Sequence, residues 1–225
     1  MADQVYHLIR DQILRGVFPL GSVLSRRKLA EQFGMSLLPV SEALQRLESE
    51  RLVESRSRAG TRVRIPTAEE VKGRYIVREA LEAKSAELCC EHATFEERLD
   101  LRRTAEHLDT LYARSATGDP DRDFLYVVHV HHMKLHLRIA EYARCPELKE
   151  AIERNQVLIY NWFFDVSAER RSLPDRFHQQ LIGAVVGDDP AVADRTMRDH
   201  IRYGLDGILE AVGAQATNND WRVRR

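Results

Sequence analysis

Nine histidines occur in 225 residues, and four of them fall in the eight-residue stretch HVHHMKLH, residues 129–136. Neutral imidazole carries a nitrogen lone pair and is the commonest protein ligand for borderline divalent metals. On a helix, positions three and four apart share a face. His129, His132 and His136 therefore lie together, with Leu125 and Ile139 extending the same face, while His131 points elsewhere. A pair at i, i+4, such as His132 and His136, can chelate one ion. The same spacing also suits ordinary solvated or hydrogen-bonded imidazoles, so a metal reading needs further ligands. His178, in DRFHQQLIGAVV, and His200, in TMRDHIRYGLDGI, sit among apolar neighbours on amphipathic segments. Imidazoles from three helices of one bundle could then meet around one cation. His7, His92 and His107 lack such surroundings and are expected on the surface. Arg78 shares a helix face with Val71 and Tyr75. An inward guanidinium needs an anion, either a bound carboxylate or Glu82, four residues on.

The elements that must position these groups can be read from periodicity and punctuation. After Pro66-Thr67 the chain reads as helical almost to its end, with breaks at 92–94, 116–120, 145–146, 167–174 and 187–190. The spacing predicts about six helices of roughly 15–25 residues, lengths suited to a bundle. HVHHMKLH falls on the helix from about 121 to 143.

Residues 1–66 read differently. Val5, Leu8, Ile9 and Leu14 define an amphipathic helix ended by Gly16 and Pro19. Ser25 caps a second helix running to Phe33, Gly34 turns the chain, and Ser36 caps a third in which Pro39 is tolerated in the first turn. Two helices about a short Gly-containing turn form a helix-turn-helix. LVESRSRAGTRVRI then alternates as a hairpin, with Val53 opposite Val63 and Ile65 and the turn at Ala59-Gly60. Up to Pro66 there are eleven Lys and Arg against seven Asp and Glu, in a chain whose net charge is −1. A basic front on an acidic body points to a polyanion partner for the front alone. A helix-turn-helix with a basic hairpin is a winged arrangement for duplex DNA; the alternative is a small protein-interaction domain.

Residues 4–64 resemble the winged DNA-binding domain of GntR-family transcription regulators. The resemblance is carried by the I-L-x-G turn, Pro19 and Gly21, the L-A-E ending at Glu31, P-V-x-E-A-L at 39–44 and Gly60. It implies DNA contacts from Arg27, Ser36, Leu37, Ser41, Arg58 and Gly60. Where the family commonly reads G-V-S-R-T-P-V-R-E-A-L, this chain reads GMSLLPVSEAL, so Leu37 and Ser41 replace two DNA-contacting arginines. One lost bidentate Arg–guanine pair gives up roughly 1–3 kcal/mol of discrimination, which predicts an unusual operator or reduced affinity. Leu37 either meets a thymine methyl or packs against another protein.

Residues 68–205 are similar to the all-helical effector domain of the FadR, or FCD-type, branch of that family. The segments AEEVKGRYIVREALEAKSAELCCEHA, HMKLHLRIAEYARCPEL and RFHQQLIGAVVGDDPAVADRTMRDHI carry the likeness. It implies one divalent metal held by an Asp, a His four residues later and two later histidines, which fall here at His132, His136, His178 and His200. His132 stands at the Asp position. Either four imidazoles ligate, or His132 turns away and leaves three, or no metal binds. An all-imidazole set favours Zn²⁺, with Ni²⁺, Co²⁺ or Fe²⁺ also suited, over Mn²⁺. The resemblance also implies that Arg78, in VREALE, holds a carboxylate effector.

The expected fold is mainly α: a winged helix-turn-helix DNA-binding domain at 1–66, an all-helical metal- and effector-binding domain at 67–212, and a frayed tail at 213–225. The expected function is a metabolite-responsive transcription regulator, a repressor of operator DNA acting as a homodimer. Three cysteines, two of them adjacent, and the absence of a long apolar run or secretory segment predict a cytoplasmic protein without a membrane partner. No H-E-x-x-H or comparable general base accompanies the histidines, so an enzyme is not expected. A metal-dependent hydrolase or oxygenase with a DNA-binding appendage, and a metal-free regulator with titrating core histidines, are the alternatives.

Overall fold

The computed structural model describes residues 1–56, 60–116, 121–155 and 173–216. They fall into two compact units that divide at Thr67 and Ala68. In the first unit the elements run α1 (Ala2–Leu14), β1 (Val23–Leu24), α2 (Arg26–Phe33), α3 (Leu37–Ser49), β2 (Val53–Arg56) and β3 (Gly60–Val63). Val5, Ile9 and Ile13 of α1 pack with Val40, Leu44 and Leu47 of α3, all nearly or fully buried. Leu8 lies off this stripe and is 39% exposed, while Tyr6 is buried in its stead. The Tyr6 hydroxyl donates to the Glu50 carboxylate, and the Arg46 guanidinium stacks 3.7 Å from the Tyr6 ring.

Ser25 caps α2 by accepting from the Lys28 amide, and α2 closes on Gly34 at φ 63°. That left-handed backbone costs a Cβ-bearing residue about 1 kcal/mol or more, which explains glycine at the turn into α3. Ser36 occupies the N-cap of α3, but its side chain makes no capping bond. The sheet has three strands in the order β1-β3-β2, with Val53 opposite Val63 and Arg56 opposite Gly60. The sequence predicted only the hairpin, because a two-residue strand has no periodicity to detect. Val23 and Leu24 pair with Arg62 and Thr61. Ser55 anchors the wing to α3, its amide donating to Glu48 Oε1 at 2.8 Å.

The second unit is helical throughout its described residues: α4 (Ala68–His92), α5 (Phe95–Ala116), α6 (Arg122–Tyr142), a helical stretch at 146–155 termed α7, α8 (Phe177–Val185) and α9 (Pro190–Ala216). The long α4 packs most extensively along α9, and Glu79 of α4 accepts from both Arg198 and Arg202 of α9. Helix α6 is tied to α5 where Arg138 and Tyr142 donate to Asp100. Arg98 of α5 donates to the carbonyls of Cys90, Ala93, Val186 and Gly187, so one guanidinium joins the ends of α4 and α8. Helix α8, at 9 residues, is shorter than predicted. Arg176, at φ 54°, turns the chain at its start, and the GDD turn follows its end. Helix α9 continues to Ala216, four residues past the predicted domain end; residues 217–225 of the expected tail lie outside the described residues. No described helix is long and apolar enough to cross a membrane.

Candidate functional site

The α6 face bearing His132 and His136 turns toward α9 and α8. His136 Nε2 lies 2.9 Å from His132 Nε2, and His132 Nε2 lies 3.4 Å from His200 Nε2. His132, His136 and His200 can each offer a ring nitrogen within 4.8 Å of the others. The His178 ring lies 5.0 Å from that of His132 and 5.4 Å from that of His200, centroid to centroid, but outside the tight triad. His129 is buried one turn away, its ring 6.3 Å from that of His132. His131 instead engages the carbonyl of Val127 through Nδ1 and meets His107 edge-on, and His92 reaches the Ala143 carbonyl.

Aromatic faces hold the imidazoles in place: Tyr112 stacks on His178 and Phe177 on His200. Carboxylates orient them from outside. His136 Nδ1 lies 2.5 Å from Glu82 Oε2, and His178 Nδ1 lies 2.6 Å from Asp109 Oδ1. A carboxylate at Nδ1 keeps the proton there and turns the Nε2 lone pair inward, the arrangement that positions metal-ligating histidines. Asp109 also accepts from the backbone amides of His178 and Gln179. It thereby caps the start of α8 and aims His178 at once.

Glu82 is itself gripped by Arg78, whose Nε donates to Oε1 at 2.9 Å, with both side chains buried. Burial alone would raise the Glu82 carboxyl, but the Arg78 guanidinium and the His136 imidazole reverse this and bring it down to about 2. Burial depresses His132, His136 and His200 below the ordinary histidine range. Neighbouring imidazoles and Arg78 reinforce the effect, while Glu82 partly offsets it at His136. Burial also works to raise the Asp109 carboxyl, yet the bonds from His178 and Gln179 hold it below its usual value.

These residues fit a divalent cation. The imidazoles of His132, His136 and His200 are held neutral by burial, and His178 Nε2 is buried without a hydrogen-bond partner. An unbonded buried nitrogen is costly unless something fills the space before it. His132 is half-buried, and His136, His178 and His200 are buried.

Arg78 realises the Glu82 ion pair, one of its two predicted partners. Its Nη2 is nevertheless buried without a hydrogen bond, leaving a donor for a second anion. Asp109 and Tyr112 were missed from sequence. The available signal was that Asp109 continues the α5 stripe of Leu101, Ala105 and Leu108, so an acid was destined for the inner face.

In the first unit, Arg26, Arg27 and Lys28 are exposed on α2, and Arg56 is exposed on the wing. A shallow cleft of about 590 Å³ lies between them, lined in part by Arg26, Arg27, Arg56 and Gly60. Arg27 makes an exposed ion pair with Glu31, of the kind worth little and readily given up. Ser36 and Leu37 are exposed at the start of α3, and the Ser41 hydroxyl donates back to the Leu37 carbonyl. Gly60 is exposed in the wing at φ 83°. Arg58 lies outside the described residues.

A winged helix-turn-helix followed by a helical bundle is the two-domain arrangement of a class of transcription regulators. Residues 1–63 match the family described as bacterial regulatory proteins, gntR family, and residues 74–203 match the FCD domain. The chain belongs to the GntR family of transcription regulators, in its FCD-domain branch. It is 27% identical to a probable D-xylose utilization operon transcriptional repressor of Paenarthrobacter nicotinovorans, over 95% of this chain and 91% of the relative. It is 26% identical to the HTH-type transcriptional repressor GlaR of Escherichia coli, over 92% and 95% of the respective chains. Among solved structures, a GntR regulator from Rhodococcus sp. RHA1 superposes with TM-score 0.74 at 20% identity, covering 93% of this chain and 98% of that one. McbR/YncC of E. coli superposes with TM-score 0.71 at 21% identity, covering 93% and 97%.

Proposed function

We propose that this transcription regulator is a repressor whose bundle senses a small organic acid through a bound divalent metal. The carrying observation is the convergence of His132, His136 and His200 from two helices on one buried point. His178 is held by Asp109 with its inner nitrogen unbonded. The four imidazoles would hold the ion, and a small turn of the His178 ring would complete the set. An all-nitrogen set favours Zn²⁺, with Ni²⁺, Co²⁺ or Fe²⁺ next. When bound, the ion supplies open positions and positive charge for a carboxylate ligand. Arg78 Nη2 supplies a guanidinium donor for the same anion.

Binding that prefers one packing of α6, α8 and α9 would shift the protein between states of different operator affinity. We further infer a homodimer on paired half-sites, with Arg27, Ser36, Leu37, Ser41, Arg58 and Gly60 at the DNA. We read the role as regulatory rather than catalytic: among the described residues, the carboxylates set against the imidazoles, Glu82 and Asp109, are committed to His136, Arg78 and His178.

One experiment tests this reading: elemental analysis of protein purified without added metal, followed by thermal-shift screening of organic acids on wild type and His136→Ala. Metal and acid-induced stabilisation are expected in the wild type and lost together in the variant. A metal-free wild type that still responds to acids would defeat the metal-based mechanism.

A further inference from the structure

The exposed face of α3 presents an unusual surface to a polyanion. Its first two residues, Leu37 and Leu38, are 55% and 67% exposed. Further along that side come Ser41, Glu42 and Gln45. The Ser41 hydroxyl proton is spent on the Leu37 carbonyl at 2.9 Å. Arg46 is the sole cationic residue of α3. Its guanidinium is turned away from the tip toward α1, donating to Asp3 at 2.9 Å and stacking on the Tyr6 ring. The cations that could meet phosphates flank α3 instead: Arg26, Arg27 and Lys28 on α2 and Arg56 on the wing are all exposed. A positive rim on α2 and the wing therefore accompanies an apolar tip on α3.

In the major groove guanine offers the acceptors N7 and O6, which call for Arg or Lys, whereas thymine offers a C5-methyl group. A helix tip without a cation and with an exposed Glu42 lacks the Arg or Lys pair to guanine and disfavours the guanine acceptors. It can bury methyl groups. We infer that Leu37 and Leu38 select operator DNA by packing on thymine C5-methyls, so that A·T pairs are read at the tip of α3 while flanking cations bind phosphate without regard to sequence. The cationic rim favours DNA over an apolar protein surface as the occupant. This inference rests on taking α3 as the helix that enters the groove.

The test uses the full chain. Duplexes are selected from a random pool, and each thymine of the selected half-site is then replaced by deoxyuridine, which removes only the methyl group. Affinity should fall about fourfold at each contacted thymine, the fold-change for roughly 0.8 kcal/mol per buried methylene-sized group. The salt dependence should not change. In Leu37→Ala and Leu38→Ala, both surface changes that leave the core intact, the penalty at one thymine each should disappear. Equal binding of methyl-free duplexes, or a penalty that persists in both variants, overturns the methyl readout while leaving DNA binding intact. If no duplex binds with a salt-dependent affinity, the assignment of α3 to the groove fails, and the methyl readout with it.

Discussion

Leu37 and Leu38 are 55% and 67% exposed, whereas His136, His178 and His200 are 1%, 0% and 6% exposed. The first unit holds its candidate contacts outward, on short elements close in sequence, and needs little from the rest of the chain to orient them. The second gathers residues from 78 to 200 into one interior cluster, where charged partners orient several of the polar groups. Arg78 aligns Glu82, Glu82 aligns His136, and Asp109 aligns His178. Exposed groups act singly and are screened, while buried groups act as a network and fail together.

That contrast can be broken at its strongest point first. Glu82→Ala strands the buried Arg78 guanidinium, so roughly 3–5 kcal/mol of stability should be lost in urea denaturation. A loss below about 1 kcal/mol would mean the network is not coupled. Next in size, saturating metal at about a hundredfold excess over its Kd should stabilise the folded chain by roughly 2.7 kcal/mol, and chelation should remove that gain. Asp109→Asn should weaken metal affinity by about 10–100-fold in competition titrations while leaving DNA affinity of the metal-saturated protein unchanged. On the exposed side, Arg27→Ala should weaken binding to all duplexes alike and reduce the salt slope by about 1. A strong sequence-dependent effect there would assign Arg27 to base reading.

A pH titration separates the two units further. Three buried imidazoles have depressed pKa values. Below about pH 6.5 the unfolded chain therefore takes up more protons than the folded one, and the metal-free protein should lose stability as pH falls. Glu82 adds a second loss. Its pKa is depressed to about 2, so the stability it contributes is present above about pH 4.3, the unfolded value, and disappears as pH falls toward the folded one. Thermal melts from pH 8 to about 2 should show both declines; flat melts between pH 8 and 6 would mean the imidazoles are not held neutral.

Local rules carried the first unit far. Ser25, Gly34 and the alternation through Val53 and Val63 specify caps, a turn and a hairpin within a few residues of one another, and the structure forms each of them. The strand Val23–Leu24 escaped because two residues gain their conformation from the partner strand alone. In the second unit, helical spacing sufficed to put His132 and His136 on one face, since 3.6 residues per turn is a property of the chain itself. The amino-acid order could also nominate His178 and His200, but the roles of Asp109 and Tyr112 depend on how α5 is rotated against α6 and α8. The apolar stripe of α5 turns Asp109 inward, but it does not set the register of that face against the facing helices. That register follows from packing among helices that are distant in sequence, and only the folded bundle could decide which imidazole nitrogens face inward and which carboxylates hold them there.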